Sequence, residues 1–179
     1  LNMNEKLNIG ATIGLSDIEY RSISEFYEWD DKGNIEYFNH YKYTKDLQVS
    51  GFGVNAKFGI LYRPTRSLRL GAAVHTPTFY EINEIYTSEL TQTNDASKTY
   101  TAQSPYGEYN YRLESPLRTV LSAGYSIGKI ALVSVDWEYV DYTSARLRSG
   151  GSGYNFNTEN QVIKNYLVAA NNIRIGGEF

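Results

Sequence analysis

Residues 52–75 read FGVNAKFGILYRPTRSLRLGAAVH. One alternating set is apolar: Phe52, Val54, Ala56, Phe58, Ile60 and Tyr62, then Leu68, Leu70, Ala72 and Val74. The other set holds Gly53, Asn55, Lys57 and Gly59, then Arg69, Gly71, Ala73 and His75. A period of two puts successive side chains on opposite faces of a strand. The stretch therefore reads as two strands joined by a tight turn at Pro64-Thr65-Arg66-Ser67. The same alternation recurs over residues 7–20, 111–125, 129–142 and 172–179, which makes about six strands in all.

The connections are of two kinds. Two are short, at 64–67 and at Ser126-Ile127-Gly128-Lys129. Three are long, at about 22–46, 78–110 and 143–171. Short and long alternate, so an up-and-down antiparallel sheet collects all short turns at one end. Outer-membrane barrels have this asymmetry. The strands also exceed the 5–6 residues usual in soluble sheets and approach the 9–11 that cross a bilayer. Tyr62 and Tyr125 lie beside the short turns, where a lower aromatic girdle belongs, and Trp137 and Tyr139 suit the upper one. The expected fold is an all-β, antiparallel up-and-down transmembrane β-barrel. Residues 1–179 form a single segment of a larger barrel, with one short loop helix. That helix is expected over about 159–169, capped by Asn157 or Thr158 and packed on the barrel rim; a lid over ligand is the alternative.

Composition narrows the function classes. The net charge of −3 and a pI near 5.4 offer no basic footprint for nucleic acid. The chain has no cysteine, which excludes disulfides and thiolate metal sites and suits passage through an oxidising compartment. It contains no apolar run long enough for a transmembrane helix. The mean hydropathy of −0.45 leaves a barrel open, since its wall shows an apolar residue only at every second position.

Few residues suggest chemistry. Gly51-Phe52-Gly53-Val54-Asn55-Ala56 matches G-x-G-x-x-A but lies inside a strand with no helix after it, so no dinucleotide cofactor is expected. Asp136 and Glu138 share a face about 7 Å apart, a spacing that glycoside hydrolysis could use. Lys57, Arg69, His75, Glu114, Arg118, Arg174 and Glu178 fall on the same inferred face, so a charge network lining a lumen is the preferred reading. His40 and His75 have no H-x-x-x-H partner, and no metal site is expected. The first two long loops are rich in aromatics. Phe26, Tyr27, Trp29, Tyr37 and Phe38 lie in the first, and Phe79, Tyr80, Ile82, Ile85 and Tyr86 in the second. Either the strands continue through these runs, or the two loops form an aromatic groove for a hydrophobic ligand.

The pieces LNIGATIGL, GFGVNAKFGILYRPTRSLRLGAAVHTPT, ESPLRTVLSAGYSIGKIALVSVDWEYVDYTSARL and NNIRIGGEF, in that order, resemble the FadL/TodX/OmpP1 family. The strand G-F-G-x-N-x-x-x-G-x-L-Y and the Asp136-Trp137 pair carry most of the likeness. The resemblance implies a bacterial outer-membrane transporter for long-chain fatty acids and other hydrophobic compounds. The family's barrel has fourteen strands, an N-terminal plug, a kinked wall strand that opens laterally and a groove between two external loops. This chain resembles the middle and later part of that barrel and lacks the plug's Asn-Pro-Ala segment.

The expected function is passive, porin-like transport of hydrophobic small molecules across the outer membrane of Gram-negative bacteria. No catalysis, cofactor or nucleic-acid partner is expected. Membrane lipid and a fatty acid or detergent-like ligand are the expected partners. A six-strand piece has open edges and would self-associate if isolated. The alternatives are a structural or adhesive barrel and a soluble all-β binding domain, in which the apolar faces would bury against a second sheet.

Overall fold

The structure, a computed structural model, describes residues 2–4, 6–151 and 153–179. It contains strands β1 (Asn2–Asn4), β2 (Leu7–Trp29), β3 (His40–Tyr62), β4 (Leu68–His75), β5 (Phe79–Thr93) and β6 (Thr99–Gln103). These are followed by β7 (Gly107–Glu114), β8 (Arg118–Ile127), β9 (Ala131–Asp141), β10 (Arg146–Ser149), helix α1 (Asn157–Tyr166) and β11 (Ala169–Glu178). All the strands belong to one sheet. The six expected strands are β2, β3, β4, β8, β9 and β11, and they neighbour one another in chain order. The registers from β3 through β4, β8 and β9 to β11 are antiparallel. Among the described residues the sheet is open: β11 has β9 as its neighbour, and β2 has β1 and β3.

Two compact units are distinguished. The first comprises Leu1–Ser16, Phe52–Glu81 and Tyr111–Phe179, and the second Asp17–Gly51 and Ile82–Asn110.

In the first unit the alternation sorts the side chains onto two faces. Cross-strand partners Phe58↔Val74, Ile60↔Ala72, Ala72↔Leu121, Leu121↔Trp137 and Trp137↔Ile173 carry one apolar face from β3 to β11. That face is open: Phe52, Val54, Phe58, Ile60, Leu121, Val135, Ile173 and Ile175 are all exposed, Ile175 to 77%. No second sheet covers it among the described residues. The opposite face carries glycine, serine and charged side chains, and the buried residues Glu138 and Val140 belong to it. The usual arrangement, with apolar side chains inside, is inverted. Tyr62 and Tyr125 flank the short turns on the apolar face, and Trp137 stacks on Tyr139 at 6.1 Å with its indole N–H donating to Asn171.

Two prolines break the ladder of this unit. Pro77 and Pro116 have no N–H to donate, and the strands stop at 76–78 and at 115–117. Side chains supply what the backbone loses: Thr76 Oγ1 accepts from the Ala56 N–H at 2.9 Å, and Ser115 Oγ from the Thr78 N–H at 2.8 Å. A 3-10 turn at Tyr142–Ser144 interrupts the next strand at the matching level. β5, β7 and β10 resume beyond these breaks.

Two sequence expectations require correction. The long connections at 22–46 and 78–110 are mostly strand. β2 runs on to Trp29, β3 starts at His40, and β5, β6 and β7 occupy much of the second run. Most of the dense aromatics belong to continuing strands, while Tyr37 and Phe38 lie in the 30–39 turn between β2 and β3. The helix starts at Asn157 and ends at Tyr166, short of 169. Neither Asn157 nor Thr158 caps it. Phe156 takes the N-cap position in a left-handed conformation (φ 50°) because its ring is buried, 4.9 Å from Tyr154 and 5.8 Å from Tyr111. Its apolar stripe is not buried either, since Val162, Tyr166 and Leu167 stay exposed. The helix attaches through Asn160, whose amide both accepts from the Leu147 N–H and donates to the Leu147 carbonyl at 2.8 Å. The side chain thus acts as a short surrogate strand along the edge of β10.

Candidate functional site

The six residues expected to line a lumen share one face of the first unit. Lys57 lies opposite His75, and His75 opposite Arg118. Arg69 lies opposite Gly124, Asp136 opposite Ser122, and Glu138 opposite Val120. Glu138 is the hub. Only 7% exposed, it meets Arg118 at 3.5 Å and Arg174 at 3.4 Å, and it accepts from the Asn172 amide at 3.0 Å. Through these contacts the carboxylate joins β8, β9 and β11 in one network. Asn172 is absent from the sequence-based set. The register signal that could have found it is its position directly opposite Glu138 on the partner strand.

Beside these charges the same face is nearly smooth. Gly10, Gly59, Gly71, Ala73 and Ser122 floor a trough of about 370 Å³. Gly53 is needed for a different reason. A Cβ there would lie 2.4 Å from the Tyr80 ring, so the tyrosine can lie over the strand only where no side chain stands. Tyr80 reaches on to Ser16, with its hydroxyl 3.4 Å from the serine oxygen. Phe79 points to the apolar face and is 55% exposed.

The other aromatic candidates lie in the second unit and separate into groups. Phe26 and Phe38 each pack on Tyr41, at 6.0 and 6.1 Å. Tyr27 stacks on Trp29 at 5.5 Å, and Lys42 sits over the Tyr27 ring at 5.6 Å while pairing with Glu25. Strand alternation places Phe26 on the opposite face of β2 from Tyr27 and Trp29. Tyr37 is 77% exposed at a left-handed position, φ 64°. Ile82 is buried and Tyr86 exposed, with Tyr86 lying over Gly107. Ile85 is half-buried. Arg21 clamps Asp46 with two bonds, of 3.1 and 2.6 Å. Asp30 accepts from the Ile35 N–H at 2.7 Å, and this bond lowers its pKa below the ordinary carboxylate value.

Among the described residues, no three His, Cys, Asp or Glu side chains gather as a metal site would require. Among the described residues no helix is long and apolar enough to cross a membrane, which leaves crossing by strands open.

No family model matches the chain, and no curated protein matches it. The structure is similar to that of a solved protein titled CymD monoaromatic hydrocarbon channel, with a TM-score of 0.56 at 14% identity. The match covers 99% of this chain and 52% of that one, so the chain spans about half the length of CymD. At this identity the likeness concerns the fold, and it places the open antiparallel sheet as part of a transmembrane β-barrel.

Proposed function

We propose that the protein forms part of an outer-membrane barrel wall that passes hydrophobic small molecules by passive diffusion, without catalysis or cofactor. One observation carries this reading: the continuous apolar face from β3 to β11 is exposed, while the opposite face is polar and closed around Glu138. In water such a face would drive aggregation; against lipid tails it is at equilibrium. The glycine- and serine-floored trough on the polar side gives a small molecule room. The similarity to a monoaromatic hydrocarbon channel supports hydrophobic cargo, and the FadL-like pieces support long-chain fatty acids as a second cargo class. The exposed aromatics Phe26, Tyr27 and Trp29 of the second unit would make first contact with it.

Uptake into proteoliposomes tests the proposal. With the protein in the wall, toluene or oleate should enter faster than into empty vesicles, without an energy source. Selective entry of one cargo would fix the ligand class. Equal rates for both cargoes with and without protein would leave a structural barrel as the better reading.

A further inference from the structure

The apolar face ends in a groove of about 410 Å³, within the range of ligand pockets. Phe52, Val54 and Phe79 make its apolar floor, and all three are exposed. Four charges line it as two ion pairs, Arg112–Glu81 and Arg148–Glu114, so Glu114 stands with the apolar residues of this groove rather than in the lumen-side set where the sequence pattern put it. The pairs are not equivalent. Arg148 holds Glu114 with two bonds, of 2.5 and 3.0 Å, and the Glu114 side chain is only 22% exposed. Arg112 meets Glu81 at 3.6 Å, with side chains 59% and 82% exposed. An exposed contact of that length contributes little and separates at small cost.

We infer that this groove docks one membrane lipid, with an acyl chain along Phe52, Val54 and Phe79 and a zwitterionic phosphate-and-ammonium headgroup at Arg112 and Glu81. The inference rests on the apolar face meeting lipid. Charge complementarity selects the headgroup. The guanidinium of Arg112 is a planar donor suited to phosphate oxygens. A purely anionic head would also face the carboxylates of Glu81 and Glu114. A head carrying phosphate and ammonium satisfies Arg112 and Glu81 together, and the firm Arg148–Glu114 pair walls the site. The floor belongs to the apolar face and the charges stand beside it, so chain and head each meet their own chemistry.

The protein, delipidated and reconstituted in vesicles, tests this by native mass spectrometry of retained lipid. Phosphatidylethanolamine should be retained about tenfold over both diacylglycerol and phosphatidylglycerol. Arg112→Ala should abolish the preference over diacylglycerol, and Glu81→Gln the preference over phosphatidylglycerol. Arg112→Lys should recover part of the first. Equal retention of the three lipids, or preferences unchanged in both variants, overturns the inference. Flotation of the same samples separates the two levels. Protein that floats with vesicles but shows no headgroup preference fails this inference alone, and protein that does not float fails the membrane reading as well.

Discussion

Phe58 lies on the apolar face opposite Val74, four residues from Tyr62 and its short turn. At about 3.4 Å per residue and a 45° tilt, four residues climb roughly 10 Å. In an apolar band about 25 Å tall, that is near the midplane. An arginine there should cost about 2–4 kcal/mol. At 1.4 kcal/mol per tenfold, Phe58→Arg should lower the folding equilibrium in vesicles by roughly 30- to 700-fold. Ala73→Arg is the matched control: Ala73 lies opposite Gly59 on the polar face and borders the 370 Å³ trough. It should stay within about 1 kcal/mol of the parent. Urea titration in vesicles, read by tryptophan fluorescence, measures both. Equal costs would refute the assignment of faces. A larger cost for Ala73→Arg would reverse it.

Three further outcomes follow from particular contacts. Gly53→Val should cost about 1–3 kcal/mol, because its Cβ would collide with the Tyr80 ring 2.4 Å away; Tyr80→Ala in the same chain should restore most of that in the urea titration. Glu138→Gln should cost about 1–2 kcal/mol by leaving Arg118 and Arg174 without their shared carboxylate, and adding Arg174→Gln should cost less than the sum of the single changes. The 30–39 turn should loosen in acid. Asp30 has its pKa lowered in the fold by the Ile35 N–H, so its contribution is present above the ordinary carboxylate pKa and is lost as pH falls through the lowered one. Hydrogen exchange of the Ile35 amide should therefore be protected at neutral pH and lose protection only at a pH below the ordinary carboxylate range, while Asp30→Asn should flatten the dependence.

The six wall strands were legible because each carries a strict period of two against flanking turns, and register then follows from the short connections. The face of Glu138, Arg118 and His75 was legible for the same reason. What the pattern hid lies in cross-strand partnership. Nothing near Asn172 in sequence marks it as a ligand of Glu138, since the pairing joins residues 34 positions apart. The aromatic runs around Phe26 and Tyr86 looked like loops because Gly, Asn and Asp intervene and the alternation there is of aromatic with charge rather than apolar with polar. The helix start was misplaced because burial of Phe156 outweighs the capping preference of Asn157.

The central claim is that the face bearing Phe52, Val54, Phe58 and Ile60 meets lipid. Because the chain has no native cysteine, single cysteines can be placed one at a time along residues 54–62 and spin-labelled. In vesicles, labels at 54, 56, 58, 60 and 62 should be accessible to oxygen dissolved in lipid. Those at 55, 57, 59 and 61 should prefer a water-soluble nickel chelate. The opposite phase, or no alternation at all, would contradict the account.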